Sequence, residues 1–235
     1  MLSDIDPYDH LNIALNPDGT LTRFINLPKK KANPIACNGD PVVSKDHTLN
    51  AEKKTRVRIY MPTIKLPRNG DTRCYLYGYG SGGNIAFFAA LEAAEMELEP
   101  LKIVGNIMNQ PSFGGMKRTN SELLNCANPL LPLCAQDLVR EFCLPKGENR
   151  DHWYCNPIVE GPHTSAISKL GRCLVIGFCG DIMIDWQQEF ITMLMRHEVQ
   201  MEVLFYDSGF HAIDLADLEC ANNILEKIED FIAEC

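Results

Sequence analysis

Residues 78–84 of the chain, G-Y-G-S-G-G-N, have the spacing of a G-x-S-x-G nucleophile elbow but carry glycine at its centre. Such an elbow is a tight turn from a strand into a helix, which exposes the central side chain and aims the next backbone N–H at a developing oxyanion. The central residue here is Gly80, which tolerates the strained dihedral angles of the turn but brings no side-chain oxygen. We therefore expect the turn to form without its usual nucleophile.

Ser81 carries the hydroxyl group nearest to this position, one residue beyond the apex of the turn. A side chain at that place is expected to point away from the catalytic base, and residues 79–83 lack the first glycine of the motif. We therefore interpret Ser81 as a small residue at the start of a helix. Its backbone N–H remains an oxyanion-type donor.

Two further residues have types and positions that suit acid–base chemistry. Asp181 follows an apolar strand predicted at residues 172–178, and His211 follows a strand predicted at residues 201–206. Taken singly, an aspartate after a strand is commonly a helix cap, and a loop histidine commonly has no chemical role. Catalytic groups of an open α/β sheet lie beyond the carboxyl ends of its strands, and the order elbow, acid, base is that of α/β-hydrolase triads. The sequence therefore predicts Asp181 and His211 as the acid and base positions of a triad.

From residue 73 onward, predicted strands alternate with predicted helices, as a sheet that positions these residues requires. The strands are continuous apolar runs, which favours a parallel sheet with helices on both faces, an α/β fold. Before residue 73, strands are predicted at residues 20–25 and 56–60, joined by a polar connection from residue 28 to about 54. The later predicted elements are strands at 74–78, 101–108, 172–178 and 201–206, and helices at 83–97, 121–124, 135–143, 185–197 and 215–233.

Composition excludes several classes of partner. The chain has 235 residues, of which 46% are hydrophobic, which suits one globular domain with a sizeable core. The formal net charge of -9 repels nucleic acid and anionic membrane surfaces, and the lysine run at residues 29–31 is too short to reverse this. We expect neither a secretory signal nor a membrane span, because no apolar run is long enough.

Ten cysteines are scattered along the chain without a C-x-x-C pair. We interpret them as buried free thiols, Cys173 and Cys179 among them, which places the protein in the reducing cytoplasm. The histidines outside the triad position have no spacing typical of a metal site. We therefore expect neither a metal ion nor a cofactor.

Several segments carry a resemblance to one family. They are residues 78–85, 109–115 (N-Q-P-S-F-G-G), 150–157 (R-D-H-W-Y-C-N-P), 172–185 and 207–215, together with 16–23 (N-P-D-G-T-L-T-R) near the start. Together they resemble the plant carboxylesterase family, relatives of the hormone-sensitive lipases, over nearly the whole chain. The resemblance implies an α/β-hydrolase-like, mostly parallel sheet, with Asp181 and His211 as acid and base and Gly80 at the nucleophile position.

The resemblance also implies an incomplete core. Members of the family carry a His-Gly-Gly-Gly segment whose backbone N–H groups build most of the oxyanion hole, and the chain has no such segment. Relative to the family, roughly ninety residues are absent, which is about three βα units. We expect one domain over residues 1–235, with a cap-like region at 1–55 and a core at 56–235 that lacks some central strands. The strand at 56–60 would then pair with the elbow strand or leave an edge exposed.

Three functions are compatible with these residues. The first is a carboxylesterase-like protein, acting on small esters in its family, with hydrolysis lost or severely impaired. The second is a lyase or dehydratase that uses the Asp181 and His211 pair as a general base. The third is a small-molecule binding protein analogous to the gibberellin receptor, which resembles the same family.

Overall fold

The structure of the protein is a computed structural model, which describes residues 5–25, 31–37, 39–52, 55–63 and 72–234. Two predicted features lie at least partly outside these residues: the lysine run at 29–31 and the junction at 62–71 where the family segment is absent. The described residues form two compact units, one within residues 1–22 and 71–235 and the other within residues 23–70. The predicted boundary at residues 55 and 56 falls inside the second unit.

The larger unit is built on a four-stranded parallel sheet. Its strands are β5 (Thr72–Tyr79), β6 (Leu101–Asn109), β7 (Arg172–Phe178) and β8 (Met201–Tyr206), in the spatial order β5-β6-β7-β8. The predicted strand–helix alternation is therefore confirmed, and β8 has the predicted bounds. Within the described part of the chain, β5 has no partner on its outer edge.

The two faces of the sheet are both buried, as continuous apolar strands predict. Along β7, Cys173 and Val175 belong to the core cluster on one face, and Leu174 and Ile176 belong to the cluster on the other. Helices α2 (Ser81–Ala94) and α5 (Ile184–Arg196) cover the first face, where Phe190 stacks on Phe113 with 4.3 Å between ring centroids. Helix α7 (Leu218–Glu234) covers the second. This burial of both faces is why β7 is a continuous apolar run over residues 173–178.

Shorter elements complete the larger unit. The predicted final helix at 215–233 is divided into α6 (Ile213–Ala216) and α7. Near the start of the chain, the turn at Gly19 joins a strand pair that includes the predicted strand at 20–25 in a shorter form. The remaining elements are α1 (Pro7–His10), β1 (Ile13–Leu15), β2 (Leu21–Arg23), α3 (Asn120–Leu124), α4 (Leu133–Cys143) and a 3₁₀ helix (Thr164–Lys169).

The smaller unit contains an antiparallel pair of strands, β3 (Val42–Asn50) and β4 (Thr55–Pro62). The sequence prediction of a polar connection from residue 28 to about 54 was wrong in its later part, because β3 occupies residues 42–50. Across the pair, Asp46 lies opposite Arg58, and the guanidinium donates to both carboxylate oxygens at 2.6 and 3.0 Å. Strand β4 therefore pairs with β3 rather than with the elbow strand.

The prediction of buried free thiols is confirmed only in part. The nine cysteines among the described residues are all free, but only Cys155 and Cys173 are buried. Cys173 is fully buried, which raises the pKa of its thiol to about 12. The other described cysteines are exposed or partly buried, so the prediction that they are buried was wrong for them, and Cys179 is among the exposed ones. Cys179 follows the last residue of β7, where the chain leaves the core.

No helix among the described residues is both long and apolar enough to cross a membrane.

Candidate active site

The turn from β5 into α2 has the geometry of a nucleophile elbow. Gly80 lies between them with φ +54° and ψ -121°, the strained conformation expected at the apex. A Cβ atom on Gly78 would lie 1.9 Å from the carbonyl oxygen of Gly82, so only glycine fits there. The turn therefore closes as tightly as the motif predicts.

Strand β6 holds the apex of the turn in place. The N–H of Gly80 donates to the carbonyl oxygen of Asn109 at 2.9 Å, and the N–H of Ser112 donates to the carbonyl oxygen of Gly80 at 3.0 Å. Both bonds use backbone atoms. The position of the apex therefore does not depend on the side chain at residue 80.

Asp181 and His211 are brought together as predicted. Asp181 is fully buried, and its Oδ2 accepts from Nδ1 of His211 at 2.9 Å. The backbone N–H of Met183 and the side-chain amide of Gln187 also donate to this carboxylate, at 3.0 and 3.1 Å. With Nδ1 as the donor, the lone pair of the imidazole lies on Nε2, which can accept a proton.

The imidazole of His211 faces the nucleophile position. A Cβ atom on Gly80 would lie 3.4 Å from Nε2 of His211, so a serine oxygen at this place would be within reach of the base. The predicted Gly80, Asp181 and His211 therefore converge. Ser81 is exposed at the first position of α2, and no hydrogen bond joins it to His211 among the described residues.

A second set of polar groups, which the sequence analysis did not identify, anchors the loop that carries His211. The buried Gln110 accepts from the N–H of Ala212 at 2.8 Å, and the amide of Asn109 donates to Asp214 at 2.9 Å. Gln110 and Ala212 both have positive φ, at 49° and 69°, so this contact joins two strained residues. The sequence offered one signal for this contact, which is that Gln110 directly follows β6 and Ala212 directly follows His211. No local pattern links the two residues, because they are about a hundred positions apart in the chain.

Tyr79 completes the surroundings of the base. Its ring centroid lies 5.5 Å from that of His211. Burial raises the pKa of the Tyr79 hydroxyl, and the negative charges of Asp214 and Asp181 raise it further. The phenol is therefore neutral at physiological pH and adds no charge beside the imidazole.

A cavity of about 610 Å³ opens beside His211 and Ser81. Its wall is mainly apolar, with contributions from Ile85 and Phe88 of α2 and from Trp153. A volume of this size suits a small organic ligand. The site therefore combines a proton acceptor with a pocket for an apolar group.

A buried histidine supports the aromatic wall of this cavity. The ring of His163 stacks on Trp153 at 5.5 Å and contacts Phe88 edge-on at 5.8 Å. Its Nε2 donates to the carbonyl oxygen of Pro157 at 2.8 Å, and Nδ1 has no hydrogen-bond partner among the described residues. Burial lowers the pKa of His163, because a charged ring would lose its solvation there.

A larger cavity, of about 800 Å³, lies at the opposite end of β6, between the end of α2 and residues 96–103. It contains none of the predicted site residues. In the parts of the chain that the structure describes, no group of three or more His, Cys, Asp or Glu side chains is placed to hold a metal ion.

Comparison with known proteins agrees with this fold. The pattern of the α/β-hydrolase fold family matches residues 64–215. Probable carboxylesterase 9 of Arabidopsis thaliana is 34% identical in an alignment 315 residues long, which covers 97% of this chain and 97% of the relative. The chain therefore belongs to the plant carboxylesterase family of α/β-hydrolases.

Other relatives are matched over about half of their own length. A 3-O-acetylpapaveroxine carboxylesterase of Papaver somniferum is 41% identical over 72% of this chain and 55% of the relative. A gibberellin receptor of Arabidopsis thaliana is 30% identical over 79% of this chain and 52% of the receptor. Among solved structures, a hyperthermophilic esterase from Pyrobaculum calidifontis has a TM-score of 0.53 over 66% of this chain and 50% of that chain, at 19% identity, which shows the shared fold.

The buried imidazole of His163 leads to a prediction about pH. Because its pKa is lowered in the folded state, the unfolded chain takes up a proton more readily than the folded chain once the pH falls below about 6.5. The contribution of neutral His163 is thus present above this pH and is lost as the pH falls. We expect the free energy of unfolding to fall less between about pH 7.5 and pH 5.5 in His163→Gln than in the wild type. Urea denaturation at the two pH values measures this, and equal losses would contradict it.

Proposed function

We propose that this chain is a carboxylesterase-family protein in which hydrolysis through a serine acyl-enzyme is lost or severely impaired, and which keeps a pocket for a small ligand. The observation that carries the proposal is the meeting of Gly80 and His211, where a base faces a residue without a side chain. In this proposal, Asp181 orients the imidazole, and His211 retains its capacity as a base.

The expected loss is large. Removing the nucleophile of a serine hydrolase triad costs about six orders of magnitude in kcat, and loss of one oxyanion donor costs about two to three more. The absence of the His-Gly-Gly-Gly segment supports the second loss. The alignment with probable carboxylesterase 9 also supports it. This alignment spans 315 residues whereas the chain has 235, so at least 80 aligned positions have no residue in this chain.

The proposed ligand is a small, largely apolar carboxylic acid or ester. Its apolar part would lie against Ile85, Phe88 and Trp153, with its polar group beside His211. The names of the relatives, which include carboxylesterases and a gibberellin receptor, support a small organic molecule. The net charge of -9 argues against a nucleic-acid or membrane partner, and the free cysteines support a cytoplasmic location.

A second candidate function is a lyase or dehydratase in which His211 abstracts a proton from a bound substrate. The hydrogen bond from Nδ1 to Asp181 favours it, since it leaves Nε2 as a base beside the cavity. We expect His211→Ala to abolish product formation from hydroxylated plant metabolites, measured by mass spectrometry. Product formation that persists in this variant would exclude the role of the histidine.

The loss of the acyl-serine route can be tested with a fluorophosphonate probe. We expect no adduct on residues 78–82 of the wild type, because no activated hydroxyl lies there. Gly80→Ser should gain labelling, since its Cβ would lie 3.4 Å from Nε2 of His211. Adding His211→Ala to this variant should remove the labelling again.

The control for this experiment is Ser81→Ala in the Gly80→Ser background, which should keep the labelling. Peptide mapping identifies the modified residue in each case. An adduct on the wild type that disappears with Ser81→Ala alone would show that Ser81 is an active nucleophile, and the proposal would be wrong.

Ligand binding is tested separately by thermal shift, with a panel of small carboxylic acids and their ethyl esters. A ligand present at 100 times its Kd stabilises the folded state by about 2.7 kcal/mol and should raise Tm. We expect Ile85→Glu to remove the shift, because it places a charge in the apolar wall. Leu225→Glu, at an exposed position of α7, is the matched control. No stabilisation across the panel would contradict the binding role.

A further inference from the structure

The place of the missing side chain lies beside His211, which also lines the cavity. Within 4 Å of a Cβ atom built on Gly80, apart from its chain neighbours, the described residues contribute only Nε2 and Cε1 of His211, at 3.4 and 3.7 Å. The same cavity is lined by Ser81, Ser112 and His211. An oxygen atom that does not belong to the protein can therefore occupy this place and approach Nε2.

The base at this place is held in a productive state. Nδ1 of His211 donates to the buried Asp181, so Nε2 presents its lone pair toward Gly80. The His211 side chain is 15% exposed, and its loop is anchored through Gln110. These contacts keep the imidazole oriented without any help from residue 80.

We propose that water occupies the place that a side chain of residue 80 would take, and that this water attacks activated esters directly, so that they are hydrolysed without an acyl-enzyme. This activity rests on the proposed loss of the acyl-serine route and goes beyond it, because it assigns a reaction to the remaining pair of residues. Its substrates are esters with good leaving groups, such as phenyl acetates. An alkyl ester would react far more slowly, because its alkoxide is a poor leaving group.

The step is balanced without a further reactant. Nε2 of His211 removes one proton from water while the water oxygen forms a bond to the acyl carbon, and the carbonyl π electrons move to the carbonyl oxygen. The tetrahedral intermediate then collapses, the bond to the phenolate breaks, and the imidazolium returns its proton to the leaving oxygen. Ester and water give acid and phenol, and Asp181 keeps its negative charge throughout.

Stabilisation of the oxyanion is partial. The N–H of Ser81 is the first of α2 and has no acceptor within the helix, so it can donate to the developing charge. General-base catalysis contributes about 10²- to 10⁴-fold. With an incomplete oxyanion hole, we expect the lower end, about 10²-fold over buffer.

The test uses the purified full chain and p-nitrophenyl acetate. We expect slow turnover that shows no initial burst of p-nitrophenolate, that is lost in His211→Gln, and that is slower in deuterium oxide because a proton moves in the rate-limiting step. His197→Gln, the same change at the end of α5, should keep the activity. Phenylmethanesulfonyl fluoride should not inhibit, since no serine is acylated.

The sharpest comparison is between two glycines. Gly80→Ala places a methyl group where the water must lie, and should abolish the turnover. Gly82→Ala adds the same methyl group two residues along, where a Cβ atom meets no atom of the described residues within 4 Å, and should keep the turnover. Circular dichroism checks that each variant folds. If Gly80→Ala does not fold, the absence of a burst and the loss in His211→Gln decide the question.

Several results would overturn the proposal. They are turnover no faster than buffer, turnover retained in Gly80→Ala, or an acetyl adduct on His211, which would show that the imidazole itself attacks the ester. Failure here is distinguishable from failure of the proposed function. Absent turnover without a fluorophosphonate adduct removes only this inference, whereas an adduct on the wild type removes the proposed function.

Discussion

The tight turn from β5 into α2 is the constraint on which the rest of the site depends. Gly78 permits the close approach of the Gly82 carbonyl group, and Gly80 takes up the strained conformation at the apex. Backbone hydrogen bonds to Asn109 and Ser112 then fix the apex against β6. Because none of these contacts uses a side chain of residue 80, a glycine at that position removes the chemistry of a nucleophile and leaves the geometry of the turn in place.

The base is held by contacts that are equally independent of residue 80. On one side, Asp181 is fixed by Met183 and Gln187 and accepts from His211. On the other side, the loop of His211 is fixed by Gln110. A buried carboxylate with several donors is costly to rearrange, since every broken bond leaves a polar group unsatisfied. The pair can therefore persist in a chain that has lost its nucleophile.

The sequence was most informative where a residue's own type and its neighbours in the chain decide its structure. The apolar runs of β6, β7 and β8 and the glycines of the elbow predicted the parallel sheet and the turn, and the order of Asp181 and His211 predicted their meeting. Strand β3 was missed because its lysine, aspartate and histidine are typical of a loop. It forms through pairing with β4, including the ion pair of Asp46 with Arg58, which is twelve residues away. The anchoring of Ala212 by Gln110 was missed for the same reason, because long-range pairing leaves little trace in local sequence.

Membership of the family and the reaction of this chain are separate questions. The family contains relatives named as carboxylesterases and a relative named as a receptor, so a shared fold is compatible with turnover and with binding alone. What differs between these outcomes is which atom faces the imidazole. In this chain that atom belongs to the molecule that occupies the space beside Gly80. An apolar ligand that fills this space would leave His211 without a proton to remove. A water molecule or a ligand hydroxyl group would supply such a proton. The occupant of this space, more than the fold, therefore decides whether the pocket binds or reacts.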